Sequence, residues 1–172
     1  KSTMERQLLA ISPKARLLSV DYGKNPKDYQ AAPIKITFRY EIPDYALRGE
    51  GEMFFRPMVM NNLYNQVRSY IWIDTSVENR KYGFKDGCSR LVELDETIQL
   101  PAGYKLVSAA KDETMQGVGA DFEGSLVQKG NKVLLHNRLA LKKRVYEASD
   151  WESFRNAVNA HKAYGEYLVI KK

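Results

Sequence analysis

The sequence is poor in the residues that build metal, disulfide and membrane-spanning structures. It contains one cysteine and two histidines among 172 residues. A single cysteine excludes an internal disulfide framework and a zinc site made of several thiolates. No stretch approaches the run of about 20 apolar residues that a membrane-spanning helix needs, and Lys1 to Arg6 contain no apolar signal-peptide core. The sequence therefore predicts no membrane span, no metal site and no cofactor.

The charge balance is basic, with 27 Lys and Arg against 21 Asp and Glu, a net charge of +6. Such a charge raises nucleic acid, anionic glycans or a membrane surface as possible classes of partner. Four basic side chains share one face of a predicted strand: His136, Arg138, Lys142 and Arg144. Asp121 and Glu123 lie on that same face across a predicted hairpin, so the strip is partly neutralised. We therefore expect no nucleic-acid partner; affinity that falls steeply with salt would show otherwise.

About one domain is expected from 172 residues. Ser2 and Glu5 have the spacing of a capping box, and Met4 and Leu8 follow at helical intervals before Pro13. Residues 1–13 are predicted to be a linker helix from an upstream domain, because the chain opens within a helix. Residues 14–172 are predicted to form one domain.

Period-two alternation dominates the rest of the chain. It is clearest from Ile34 to Ile42, and further strands are predicted at Leu18–Tyr22, Met53–Pro57, Arg68–Ile73 and Val92–Leu100, with Tyr104–Val107 as the partner of the last. A hairpin around Gly130-Asn131, both able to adopt positive φ, would oppose residues whose numbers sum to 261. Leu126 then faces Leu135, and Glu123 faces Arg138 as an ion pair.

The C-terminal region changes to a helical period. Ser149 and Glu152 have capping-box spacing, a stripe of Trp151, Phe154, Val158 and His161 follows, and Gly165 ends the helix. A last strand is predicted at Glu166–Ile170. The predicted fold is mostly β: an antiparallel β-sandwich with a short N-terminal helix and one C-terminal helix packed on the sheets.

No catalytic site is evident. Cys88 follows the turn dipeptide Asp86-Gly87 rather than starting a helix, and we expect a semi-buried thiol at a strand entrance. His136 is expected on a solvated strand face and His161 in the helix-to-core contact. Gly117-Val118-Gly119 opens a strand, so it is not a phosphate loop. The candidate partner or ligand surface is Arg68, Tyr70 and Trp72, because outward aromatics beside Arg are typical of recognition patches.

Several stretches together resemble the β-rich domain that follows the papain-like core of bacterial transglutaminase-like cell-envelope proteins. They are Ile36–Pro43, Met53–Pro57, Thr97–Tyr104 and Tyr146–Ile170 with its Trp151, Phe154 and Tyr167. The resemblance implies an exported parent protein of the periplasm or cell envelope, with its catalytic Cys, His and Asp upstream of Lys1.

Two functional hypotheses remain from the sequence. The first is a non-catalytic accessory domain that supports the upstream transglutaminase-like domain of the same chain or positions a protein or peptide substrate. The alternative is a β-sandwich module that binds a glycan or similar polymer through Arg68, Tyr70 and Trp72, since aromatic faces suit sugar rings and Arg offers a hydrogen-bonding fork.

Overall fold

The structure, a computed structural model, describes residues 2–23, 35–60, 73–109 and 111–172. They fall into two compact units, one ending at Tyr45 and the other beginning at Ala46. Within this part of the chain, no helix has both the length and the apolar character needed to cross a membrane. The predicted division into a linker helix and one domain stays a prediction.

The first unit contains one helix and a two-stranded antiparallel sheet. Its elements are α1 (Ser2–Ile11), β1 (Arg16–Asp21) and β2 (Thr37–Glu41). Helix α1 contacts β1, and Leu8 is buried, as its helical spacing predicts. The helix ends where the Ser12 N–H donates to the Leu8 carbonyl at 3.1 Å, just before Pro13. The alternation of Phe38 and Tyr40 with polar neighbours forms β2 as predicted.

The second unit holds the larger sheets. Its elements are β3 (Leu47–Arg48), β4 (Glu52–Phe55), β5 (Phe84–Lys85), β6 (Arg90–Gln99), β7 (Lys105–Leu106), β8 (Lys111–Met115), β9 (Ala120–Lys129), β10 (Lys132–Leu141), β11 (Val145–Tyr146), a 3-10 turn (Ala148–Asp150), α2 (Trp151–Ala163) and β12 (Leu168–Lys171). The strand orders are β6-β10-β9-β8, β3-β4-β12-β7 and β5-β11, with antiparallel neighbours.

The β9–β10 hairpin has the predicted register. Leu126 pairs with Leu135 and Phe122 with Leu139 around the Gly130-Asn131 turn. Gly130 has φ of 61°, whereas Asn131 is not among the described residues with positive φ, so only the first turn residue needs the left-handed region. Along β10 every second side chain is buried, which fixes the register because a one-residue slip would expose them all.

Helix α2 packs on the inward face of this hairpin. It contacts β9 and β10, and its buried side chains are Trp151, Phe154, Ala157, Val158, Ala160 and His161. The Lys111 ammonium of β8 donates to the Ala163 carbonyl at the helix C-terminus (3.0 Å), where a cation is favourable. The predicted mostly β fold, with antiparallel sheets, a short N-terminal helix and a C-terminal helix on the sheet, is confirmed.

Two local predictions are wrong. Residues 105–106 pair with β12 rather than with β6, because Leu106 lies opposite Ile170. The capping box pairs Glu147 with Asp150 at the 3-10 turn, rather than Ser149 with Glu152, and the Asp150 carboxylate accepts the Glu147 N–H at 2.8 Å. Both errors arise because the side-chain spacing is compatible with more than one partner.

The segment 74–80, which has no regular secondary structure, is attached to α2. The Trp151 indole N–H donates to the carbonyls of Val77 and Glu78, at 3.1 and 3.2 Å. The Arg155 Nε–H donates to the Thr75 carbonyl at 3.2 Å. The Arg80 guanidinium lies 4.4 Å from the centre of the Trp151 ring, a cation–π contact. The Lys162 ammonium also donates to the Thr75 hydroxyl at 2.9 Å. The helix therefore holds this segment through three main-chain carbonyls and through the side chains of Thr75 and Arg80.

Gly124 in β9 makes room for the aromatic ring that follows α2. A Cβ atom there would lie 2.6 Å from the Tyr164 Cζ and 2.5 Å from the Phe122 Cζ. These two rings are themselves in contact, with centroids 5.5 Å apart. Only a residue without a side chain lets both rings pack over this strand.

We expect Gly124→Ala to lower the free energy of unfolding by about 1–3 kcal/mol, because the added methyl group overpacks a closed site. Gly87→Ala is the matched control, since no atom lies within 4 Å of its Cβ position and its φ is not positive. The control should change stability by less than about 0.5 kcal/mol in urea unfolding. Equal losses for the two variants would contradict this account of Gly124.

Candidate functional site

The surface predicted from Arg68, Tyr70 and Trp72 lies outside the described residues. So does most of the strand predicted at 68–73; Ile73, its last residue, is described and lies in a bend. That candidate stays a prediction, and the site described below is built from other residues.

Cys88 lies in the loop that leads into β6, as predicted, but it is exposed rather than semi-buried. The turn at Asp86-Gly87 places the thiol outside the sheet, while Asp86 itself is buried against Arg90 with 2.6 Å between Oδ1 and Nη2. The Arg90 Nε–H donates to the Cys88 carbonyl at 3.3 Å. The backbone at Cys88 is thus fixed by the buried ion pair.

Each of the two histidines is hydrogen-bonded to a residue other than Cys88. His136 Nδ1 lies 2.7 Å from an Asp95 carboxylate oxygen on the outward face of the sheet. His161 is buried, and its Nδ1 lies 2.5 Å from the Asn137 Oδ1. Burial lowers the pKa of His161 to about 4, so the ring is neutral and its Nδ1–H donates to Asn137. Both predicted placements are confirmed.

The basic strip that runs along the outward face of β10 is partly neutralised, as predicted. Lys142 pairs with Asp121 at 2.7 Å. Arg138 lies opposite Glu123 in the register, but its ion pair is with Glu93 of β6 at 3.0 Å. The predicted position of Glu123 opposite Arg138 is therefore confirmed, but the ion pair forms with Glu93, because β10 is a central strand and Arg138 has a carboxylate on either side.

The described residues do present a groove at the start of α2. A cavity of about 660 Å³ opens between the β8–β9 connection and the first two turns of the helix. Its lining includes Met115, Gln116, Val118, Ser149, Glu152 and Asn156. The Gly119 N–H donates to the Ser153 Oγ at 3.1 Å, and a Cβ at Gly117 would collide with Ser153. The two glycines therefore let the connection approach the helix.

The floor of this groove is fixed by a buried carboxylate. Asp150 accepts the Lys143 ammonium at 2.7 and 2.8 Å and the Glu147 N–H at 2.8 Å. The hydrogen bond from Lys143 is the main cause that lowers the pKa of Asp150. Ser153 donates to the Asp150 carbonyl at 3.0 Å, so its hydroxyl is bonded to main-chain groups rather than to a histidine.

A second cavity, of about 340 Å³, lies next to the first at the start of α2. It shares Ser149, Glu152 and Asn156 with the first and adds Arg80 and Arg155. The two cavities flank a polar ridge of hydroxyl, carboxylate and amide groups. Such groups can hydrogen-bond a peptide or another polar ligand, but they form no nucleophile–base pair.

The sequence contains the residues of this groove, but their local patterns predict other roles. Gly117-Val118-Gly119 predicts the start of a strand, and Ser149 with Glu152 predicts a helix cap. Their proximity depends on the hairpin that brings residue 119 back beside residue 142. Among the described residues no cluster of three or more His, Cys, Asp or Glu side chains could hold a metal ion.

Comparison with known proteins places this antiparallel β domain in a family. A family model described as a Domain of Unknown Function with solved-structure structure (DUF3858) matches residues 51–169. The chain belongs to this family. The match covers the second unit almost completely. No curated protein matches the chain.

The fold is also similar to part of a longer protein. A crystal structure described as a "putative protease" from Parabacteroides distasonis superposes with a TM-score of 0.57 at 11% sequence identity. The alignment covers 72% of this chain and 24% of that one, so the chain spans about a quarter of the length of its structural relative. At this identity the likeness is one of fold.

The lowered pKa of His161 predicts a pH dependence of stability. The folded protein binds this proton only near pH 4, whereas the unfolded chain binds it near 6.5. The contribution of neutral His161 to the free energy of unfolding is therefore fully present above pH 6.5. It is lost as the pH falls toward about 4, by at most about 1.4 kcal/mol per pH unit. The difference in unfolding free energy between wild type and His161→Gln should shrink over this interval.

His136→Gln is the matched control, because His136 lies on the outward face and its substitution leaves the His161–Asn137 hydrogen bond intact. Urea unfolding of the three proteins across this pH interval measures the effect. A constant difference between wild type and His161→Gln would show that His161 does not titrate in the way its burial implies.

Proposed function

We propose that this chain is a non-catalytic accessory domain of an exported, transglutaminase-like protein of the periplasm or cell envelope. It supports an upstream core in the same polypeptide or positions a protein or peptide substrate for it. A cysteine hydrolase site would be built from Cys88 and a histidine. The observation that carries the proposal is that each of the two histidines is hydrogen-bonded to a residue other than Cys88. His136 is bonded to Asp95 and His161 to Asn137.

Two further observations support an accessory role. The fold is similar to about a quarter of a longer chain described as a "putative protease", which is what a module of a larger protein would show. The polar ridge at Ser149, Glu152 and Asn156, with a cavity on each side, offers hydrogen-bonding groups to an extended peptide. The described residues therefore offer a surface on which a peptide could be positioned, and the proposal assigns the cleavage chemistry to the upstream core.

The isolated chain is expected to show no amidase or acyl-transfer activity. Hydrolysis of a fluorogenic amide and incorporation of a fluorescent amine into casein are the measurements, with Cys88→Ala as the control for thiol chemistry. Turnover by the wild type that disappears in Cys88→Ala would refute the proposal. Turnover that persists in Cys88→Ala would point to a contaminant or to a different nucleophile, which a purified second preparation separates.

The coding sequence upstream of Lys1 provides the second test. A papain-like core with Cys, His and Asp should precede this domain in the same reading frame. A different catalytic class there, or no upstream domain, would contradict the transglutaminase-like part of the proposal. The non-catalytic part is tested separately, by the activity assay.

A further inference from the structure

Arg80 is a partly buried cation that contacts two aromatic rings. Its guanidinium carbon lies 4.4 Å from the centre of the Trp151 ring and 5.0 Å from the centre of the Phe84 ring. The two rings are packed edge to face, with centroids 5.5 Å apart and an interplanar angle of 89°. These cation–π contacts hold the guanidinium group in place, so little of its orientation has to be fixed when a ligand binds.

The positive charge of Arg80 is not neutralised by an oxygen atom of the described residues. Its Nε is buried and makes no hydrogen bond, and no ion pair in the described part of the chain includes this side chain. Asp74, an acid of the same segment, accepts hydrogen bonds from the N–H and the hydroxyl of Ser76 instead, both at 2.9 Å. Lys143 differs from Arg80, because it lies 2.7 Å from the carboxylate of Asp150. An aromatic ring does not satisfy the N–H donors of a guanidinium group, so those of Arg80 remain available to a ligand.

Arg80 lines the smaller of the two cavities at the start of α2, whose volume is about 340 Å³. The other polar side chains of its lining come from the segment 74–80, the 3-10 turn and the first two turns of α2: Glu78, Asn79, Ser149, Glu152, Arg155 and Asn156. A volume of this size falls in the range of ligand sites. The cavity therefore combines one oriented cation with hydroxyl, amide and carboxylate groups.

The charges of the lining select among anionic ligands. Arg80 and Arg155 are balanced by Glu78 and Glu152, so the cavity has no net charge. The two carboxylates would repel a phosphate or a polyanion, whereas a single carboxylate matches the planar fork of one guanidinium group. The Nε–H of Arg155 already donates to the Thr75 carbonyl at 3.2 Å, which leaves Arg80 as the cation without an acceptor. The lining carboxylates can accept main-chain N–H groups, which a peptide supplies on both sides of its own carboxylate.

We propose that this cavity binds a carboxylate group of a peptide at Arg80. The terminal N–H groups of the guanidinium donate to the two carboxylate oxygens, and Asn79, Ser149 and Asn156 hydrogen-bond the adjoining main chain. The carboxylate belongs either to an acidic side chain or to the C-terminus of the peptide. This inference rests on the proposed function, since the peptide is the substrate that the accessory domain would position.

The test is a titration of the whole chain with short peptides, followed by the NMR signals of the Trp151 indole N–H and the Arg80 Nε–H. Acetyl-Ala-Ala-Glu-Ala-Ala-amide carries only a side-chain carboxylate, and acetyl-Ala-Ala-Gln-Ala-Ala with a free C-terminus carries only a terminal one. Acetyl-Ala-Ala-Gln-Ala-Ala-amide carries neither. At least one of the two carboxylate peptides should shift both signals saturably, and the neutral peptide should not; the tighter of the two identifies the source of the carboxylate.

Arg80→Gln should weaken the binding of the carboxylate peptides by about tenfold or more, because a charge-assisted, bidentate hydrogen bond is lost. Arg80→Lys keeps the charge without the planar fork, so it should recover only part of the affinity. Arg56→Gln is the matched control, because Arg56 also stacks on an aromatic ring, that of Tyr167 at 4.6 Å, but does not line this cavity. It should bind the peptides as the wild type does.

The proposal is overturned if neither carboxylate peptide shifts the two signals, if the neutral peptide binds equally well, or if Arg80→Gln keeps the wild-type affinity. If Arg80→Gln does not fold, Asn79→Asp replaces it: this exposed position lines the cavity, and a carboxylate there must compete for Arg80 and weaken binding several-fold. Turnover by the isolated chain or a different upstream domain would refute the proposed function without changing these affinities, so the two failures are distinguishable.

Discussion

The second unit depends on the contact between helix α2 and the inward face of the β9–β10 hairpin. Phe122 and Tyr164 meet across this contact, and Asn137 joins His161 within it by a hydrogen bond. The same helix fixes the segment 74–80 and forms one wall of both cavities. Removing the helix would expose the apolar face of the sheet and also dismantle the groove, so stability and the candidate site share one interaction.

The sequence predicted this contact well because its two halves have unambiguous periods. Alternation along β10 and the helical stripe of α2 each specify one buried face. Gly130 then sets the register, since a two-residue turn leaves little choice of pairing. The strand alternation, the helical stripe and the turn all specify the same buried face here, so local patterns are enough to predict the tertiary contact.

Patterns could not assign partners that depend on sheet order. Arg138 has a carboxylate on each neighbouring strand, and only the position of β6 decides that Glu93 binds it. The same holds for the pairing of β7 with β12. Local patterns do not reveal the groove either, because its two walls, at Met115–Val118 and at the start of α2, are far apart in sequence. The exposure of Cys88 likewise follows from the buried Asp86–Arg90 pair beside it, which alternation does not reveal.

The attachment of residues 74–80 to α2 has an evolutionary consequence. At Val77 and Glu78 the Trp151 indole donates only to carbonyl groups, which every amino acid possesses, so these two contacts do not depend on the side chain present. Related chains are therefore expected to carry other amino acids at Val77 and Glu78 while they retain the tryptophan whose indole N–H donates to these carbonyls. Selection is expected to preserve Trp151, and to preserve Thr75 and Arg80, whose side chains contact α2, while Val77 and Glu78 vary.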